Sequence, residues 1–264
     1  MAIHAVNGHI AGMDYIRFGT GSQVLVMLPG LGDGLQTVKG TALPMAWMYR
    51  IFSRQFTVYM FSRKTDLDDG ITTRDMARDL SEGMDALGIG RAHVLGVSMG
   101  GMIAQWLAID FPEKVGRLVL TVTAPKANPV LVSSVEQWMD LARQGDHTAF
   151  MDSNLRILYS DSYYRKNRWT LPLLGWLTRP KSYRRFLIQA EACLRHDATD
   201  RLAQITAPTL IVGGEQDRAL GPEASRDLAM AIPGAELKMY PQYGHSLYEE
   251  AADFNALVLD FLTE

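Results

Sequence analysis

The sequence predicts an α/β fold, a mostly parallel sheet covered by helices on both faces and interrupted late in the chain by a helical insertion. Three observations predict it. Short β-favouring apolar runs at 24–28, 56–61, 92–97 and 115–123 alternate with segments of helical periodicity, the pattern of βαβ units. The alternation lapses from Ala124 to about Asp200, where helix-like pieces follow one another with no buried strand pattern. Strand grammar then returns at 208–214 and 236–240. The expected division is a core domain of residues 1–123 and 201–264, with residues 124–200 inserted as a cap on the sheet edge.

At 264 residues the chain can enclose one large core, or a core with an insertion. Hydrophobic residues at 47% and charged residues at 21% describe a soluble globular chain. A net charge of -3 gives no reason to expect nucleic acid, which calls for a clustered positive surface. Residues 1–5 lack a charged stretch followed by an apolar one, so no secretory signal is expected, and no apolar run approaches a membrane span. Cys193 is the single cysteine, which excludes an internal disulfide and a cysteine-rich metal site. The expectation is a cytoplasmic protein that acts on a small molecule, with no cofactor, metal or membrane partner. Methionines and aromatics of the insertion could support a homo-oligomer.

Each element has its own signal. Between residues 4 and 18, Asn7-Gly8 stands between two strand-like stretches as a tight-hairpin dipeptide, because both residues tolerate positive φ. Residues 19–22 read as a turn and 24–28 as a strand buried on both faces, so the sheet starts antiparallel and turns parallel. The glycine-rich stretch 29–34 has neither the G-x-G-x-x-G spacing nor the G-K-[ST] of phosphate loops; it reads as a loop whose backbone approaches a reacting atom. A short helix is expected at 44–52. Residues 66–70 read as a solvated loop, since they lack the alternating ligand register of a calcium loop. Residues 72–87 carry Met76, Leu80, Met84 and Leu87 on one stripe, with Thr73 as the cap and Gly88 and Gly90 as the stop.

In the insertion, helices are expected at 133–144, 148–159 and 183–195. It holds nine of the chain's 24 aromatics, among them Trp138, Trp169 and Trp176, and 11 Lys/Arg against 8 Asp/Glu, which slightly favours a polar or anionic substrate. After it come a helix at 222–231 with Pro222 in its first turn and a closing helix at 248–262. The stripe of the closing helix is Phe254, Leu257, Val258 and Phe261.

The run at 92–97 leads directly into Gly96-Val97-Ser98-Met99-Gly100, and an apolar helix-like segment follows at 102–111. This fits G-x-S-x-G, a serine on a strained strand-to-helix turn with its hydroxyl exposed. The helix N-terminus beyond it presents N–H groups and partial positive charge to an oxyanion. Asp217 and His245 also follow the C-terminal ends of expected strands, and in an open parallel sheet those ends share one edge. A serine needs an imidazole to take its proton, and the imidazole needs a carboxylate to set its tautomer. Glu215 competes with Asp217 for that role. His4, His9, His93, His147 and His196 have no such placement and read as structural or solvated.

With the order Ser98, Asp217, His245, the chain resembles the α/β-hydrolase superfamily over essentially its whole length. Leu28-Pro29-Gly30-Leu31 is similar to the family's oxyanion loop and Gly96-Val97-Ser98-Met99-Gly100-Gly101 to its nucleophile elbow. Residues 208–217 resemble its acid-bearing strand and loop, and Tyr243-Gly244-His245-Ser246 its histidine loop. The resemblance implies a mostly parallel eight-stranded sheet with a helical cap, a triad of Ser98, His245 and Asp217, and an oxyanion hole made by the backbone N–H groups of Leu31 and Met99. Many relatives carry His-Gly where this chain has Pro29-Gly30. Backbone donors survive that change, while the loop's own hydrogen bonding must differ.

The function expected is hydrolysis of a carboxylic ester of a small or medium substrate through an acyl-enzyme on Ser98. One alternative is a carbon–carbon bond hydrolase acting on a dienoate-like ketone, and another is a small-ligand receptor on a hydrolase scaffold. Amide and thioester cleavage stay open. Haloalkane dehalogenation is disfavoured because relatives doing it carry Asp at the position of Ser98.

Overall fold

A computed structural model describes residues 4–171, 173 and 179–264. Its eight strands are β1 (Ala5–Ile10), β2 (Met13–Phe18), β3 (Gln23–Leu28), β4 (Phe56–Lys64), β5 (Ala92–Val97), β6 (Val115–Thr121), β7 (Thr209–Gly214) and β8 (Glu236–Tyr240). They form one sheet in the order β1-β2-β4-β3-β5-β6-β7-β8. β2 pairs antiparallel with both β1 and β4, and every pairing from β4 to β8 is parallel.

Successive residues of a strand point to opposite faces, and the core divides accordingly. Val26 and Val94 join Met76, Leu80 and Met84 of α2 (Thr73–Ala86) and Ile103 and Leu107 of α3 (Met99–Asp110). Leu25, Met27, Leu95 and Val97 face the other way, against Ala42 and Ala46 of α1 (Ala42–Met48) and Phe254, Val258 and Phe261 of α10 (Phe254–Thr263). Helix α3 is buried along eleven of its twelve residues, consistent with its apolar circumference, and each of its large side chains contributes roughly 1.5–3 kcal/mol by burial.

Between β6 and β7 the described chain forms α4 (Pro129–Gln144), α5 (His147–Leu158), α6 (Asp161–Asn167) and α7 (Arg184–Leu194), with no strand among them. An antiparallel bridge of Lys126 with Asp197 closes the base of this excursion. Helix α4 starts four residues before the expected 133, because the Asn128 side chain accepts from Leu131 N–H at 2.9 Å and Pro129 occupies the first turn. Trp138 is buried and Trp169 exposed; Trp176 lies outside the described residues.

After β7 come α8 (Glu223–Ala231) and α9 (Leu247–Glu250), followed by α10. No helix among the described residues is long and apolar enough to cross a membrane.

Three local expectations are corrected. The hairpin turn lies at Ala11-Gly12 (φ 49° and 79°), whereas Asn7-Gly8 sits inside β1 opposite Ile16 and Tyr15. The absence of a side chain at Gly8 lets the Tyr15 ring lie across the strand, where a Cβ would be 2.1 Å from it. The cap of α2 is Thr72, which forms a capping box with Asp75, while Thr73 is buried with its hydroxyl 2.9 Å from His196 Nδ1. The single closing helix expected at 248–262 is split at Ala251, which is extended (ψ 113°). Glu249 and Glu250 bind Tyr159 and Ser160 of the excursion, while the Phe254 stripe faces the sheet, and one straight helix cannot serve both.

Candidate active site

Ser98 stands between β5 and α3 with φ 53° and ψ -120°, a strained conformation for a residue with a Cβ. The surrounding packing holds it there. Ser98 N–H donates to Thr121 O at 2.9 Å, and the Thr123 hydroxyl donates to Ser98 O at 2.7 Å. A Cβ on Gly100 would lie 2.1 Å from Leu28 O, so the elbow can press against the end of β3 only without a side chain. That contact brings the 29–31 loop beside Ser98, where a Cβ on Gly30 would lie 3.3 Å from Ser98 Cβ.

His245 and Asp217 meet at the same edge. His245 Nδ1 donates to Asp217 Oδ2 at 2.8 Å, and both side chains are buried. A carboxylate on Nδ1 leaves Nε2 free to accept a proton. The second carboxylate oxygen of Asp217 accepts from the backbone N–H groups of Ala219 (2.8 Å) and Leu220 (3.0 Å), which locks its orientation. Backbone bonds knit the two loops together, from Glu215 N to Tyr240 O and from Gln216 N to Tyr243 O, and Ser246 N–H reaches Leu158 O at the end of α5. Among the described residues the Ser98 hydroxyl makes no hydrogen bond. Such contacts commonly tighten only with substrate present.

The other candidates sort by their partners. Glu215 is taken by Arg226, with both carboxylate oxygens 2.7 Å from one guanidinium nitrogen. Among the described residues neither Leu31 N–H nor Met99 N–H donates to another group, as expected for amides in the first turn of a helix. His9, His93, His147 and His196 bond Asp14, Gln23, Tyr183 and Thr73 respectively, and His4 is exposed. Burial pushes the His196 imidazole down to about 4.

A second polar cluster lies at the 31–34 turn that follows the 29–31 loop. Asp33, in the short 3-10 turn Leu31–Gly34, has a fully buried side chain whose Oδ2 is 2.5 Å from Arg185 Nη2 on α7. The same guanidinium donates to the backbone carbonyls of Asp33, Arg63 and Lys64. Arg63, at the end of β4, lies 3.6 Å from Asp33 Oδ2, and none of its guanidinium nitrogens has a hydrogen-bond partner among the described residues. The sequence signal for this cluster was slight: one acid in a glycine-rich loop, and two arginines far from it in the chain.

Comparison with known proteins agrees with this architecture. A family profile described as the alpha/beta hydrolase fold matches residues 23–252. The chain is 30% identical over 266 residues to the 2-hydroxy-6-oxononadienedioate/2-hydroxy-6-oxononatrienedioate hydrolase 2 of Pseudomonas putida, covering 95% of this chain and 91% of that protein. It is 30% identical over 199 residues to the 2-hydroxy-6-oxo-6-phenylhexa-2,4-dienoate hydrolase of Comamonas testosteroni, covering 71% and 68%. The crystal structure of an alpha/beta hydrolase enzyme from a Medee basin deep-sea metagenome library superposes with a TM-score of 0.84 at 24% identity, over 96% of this chain and 94% of that one. With its eight-stranded sheet and a profile match across most of its length, the chain belongs to the α/β-hydrolase fold family.

Proposed function

We propose that this protein is a serine-dependent hydrolase that cleaves the carbon–carbon bond beside the oxo group of a 2-hydroxy-6-oxo-dienoate ketone. The observation that carries the hydrolase reading is the strained Ser98 at the sheet edge where His245 and Asp217 are paired. The relatives' names support the ketone over the carboxylic ester that the sequence favoured.

In this reading Ser98 Oγ adds to the ketone carbonyl and His245 Nε2 takes its proton, with Asp217 holding the imidazole. The N–H groups of Leu31 and Met99 receive the oxyanion; losing one such donor costs on the order of 3 kcal/mol in barrier. The carbon–carbon bond then breaks. Its electron pair passes into the departing chain, which the keto tautomer of the 2-hydroxy group stabilises as a dienolate, and the His245 imidazolium returns the proton to that carbon. Water, deprotonated by His245, releases the acyl group from Ser98. The helices described between β6 and β7 act as a cap over the site.

The test is turnover of a 6-phenyl-2-hydroxy-6-oxohexadienoate and of p-nitrophenyl esters by wild type and Ser98→Ala, with fluorophosphonate labelling and peptide mapping. Ketone cleavage that disappears in Ser98→Ala, with the label on Ser98, is expected. Ester turnover without ketone cleavage would return the reading to an esterase. Full turnover in Ser98→Ala would end both.

A further inference from the structure

The corner between α5 and α6, residues 156–161, is bonded to both loops that carry the Asp217–His245 pair. The last carbonyls of a helix have no partner within it, and at the end of α5 the core supplies partners. Arg218, the residue after Asp217, donates from Nη1 to Arg156 O at 3.2 Å. Ser246, the residue after His245, donates its backbone N–H to Leu158 O at 2.8 Å. The chain neighbours of the acid and of the imidazole thus hold the same helix end.

The start of α6 is held from the same place. Ser160 donates to Glu250 from both its N–H (3.0 Å) and its hydroxyl (2.5 Å), and the Tyr159 hydroxyl donates to Glu249 at 2.6 Å. Both glutamates belong to α9, which begins two residues after His245. Hydrogen bonds to a carboxylate are short and directional, so Glu250 fixes where Ser160 sits. Three segments meet at Gly244, where a Cβ would lie 2.9 Å from Gln216 O and 3.4 Å from Leu158 O. No side chain stands between these backbones to absorb a displacement.

The connectivity shows what the corner does. Upstream of Asp217 and His245 the two loops bond each other directly, from Gln216 N to Tyr243 O. Downstream, among the described residues, the hydrogen bonds that link Arg218 with Ser246 and Glu250 run through the corner. We propose that residues 156–161 are a splint that holds Asp217 against His245, with Arg218 and Glu250 as positioning residues acting through it. The imidazole and the carboxylate then keep their alignment only while this corner of the cap is docked. Its catalytic consequence rests on the proposed chemistry at Ser98, but the alignment can be read without turnover.

Two readouts on the full chain decide it. In protein labelled with ¹⁵N-histidine, the His245 Nδ1–H bonded to Asp217 should give a far-downfield proton resonance, identified by its loss in Asp217→Asn. The rate at which a fluorophosphonate labels Ser98 reports whether the imidazole is in place. In Glu250→Ala the resonance should broaden through exchange with water, and labelling should slow by about 10–100-fold, the cost of a displacement near 1 Å. Glu250→Gln keeps an acceptor for Ser160 N–H, and should restore the resonance and bring labelling within about threefold of wild type. Arg218→Ala, at a half-exposed side chain whose loss the fold tolerates, should broaden the same resonance and slow labelling about tenfold.

An unchanged resonance and rate in both alanine variants would overturn the proposal. Slow labelling with the resonance intact would also overturn it, because the effect would then lie in access to Ser98. A resonance lost in Glu250→Ala, in a protein whose wild type is not labelled, would support the splint while defeating the serine chemistry. A labelled wild type whose resonance ignores every splint variant would do the reverse.

Discussion

The contact between Asp33 and Arg185 offers the sharpest test of how the site is held. Asp33 has no exposed side-chain surface and Arg185 retains 15%, so solvent screens the pair little. Removing one partner of such a pair costs about 3–5 kcal/mol, because the other charge stays buried without compensation. Asp33→Asn leaves two guanidiniums, Arg63 and Arg185, facing a neutral amide, and should sit at the upper end of that range. Arg185→Met keeps the packing of the stem and leaves Arg63 3.6 Å from the carboxylate, so about 3 kcal/mol is expected. At roughly 2–4 °C per kcal/mol, each variant should melt about 6–12 °C lower, or more. In the double variant neither charge is stranded by the other, so the two losses should fall short of additivity by at least about 2 kcal/mol. Urea unfolding followed by circular dichroism, on all four corners of the cycle, measures this. A loss under about 1 kcal/mol in both single variants, or additive losses, would refute the idea of a coupled buried pair. Because the same turn carries Leu31, kcat of surviving protein should fall by a larger factor than KM rises.

Two further outcomes follow from named contacts. Asp217→Asn should drop kcat by a factor on the order of 10⁴, since His245 would lose the carboxylate that fixes its tautomer. Glu215→Gln, which disturbs only the Arg226 pair, should stay within about twofold of wild type, and the reverse ranking in a steady-state assay would reassign the acid. His196 is buried neutral and pushed down from 6.5 to about 4, so below 6.5 the unfolded chain takes up a proton that the folded chain refuses. Stability should therefore fall as pH drops through that window. The loss is about 2–3 kcal/mol from pH ~6.5 to ~4.5, read from urea midpoints. His196→Gln should flatten this slope, and an unchanged slope would mean another group carries it.

Much of this site was legible in the sequence because local chemistry constrains it. Gly96, Ser98 and Gly100 are readable since only such residues fit a strand-to-helix turn pressed against another strand, and the structure bears this out with Ser98 at positive φ. Asp217 is preferred in the sequence from its place after an expected strand and the resemblance of 208–217 to an acid-bearing loop, with Glu215 as a near competitor; in the structure Asp217 is paired with His245 and Glu215 with Arg226. Where two local readings compete, sequence reading fails. Asn7-Gly8 and Ala11-Gly12 can both turn a hairpin, and the register that seats Tyr15 over Gly8 selects the second. Thr72 and Thr73 can both cap a helix, and burial of Thr73 against His196 selects the first.

By itself the sequence determined the alternation of strands and helices, the parallel sheet and the three residues at its edge, because periodicity and turn chemistry act over a few neighbouring positions. Only the tertiary structure decided that Asp33, Arg63 and Arg185 share one buried cluster and that the closing helix breaks at Ala251. Those features join residues ninety or more positions apart, and no local pattern encodes a distance that only the folded core imposes.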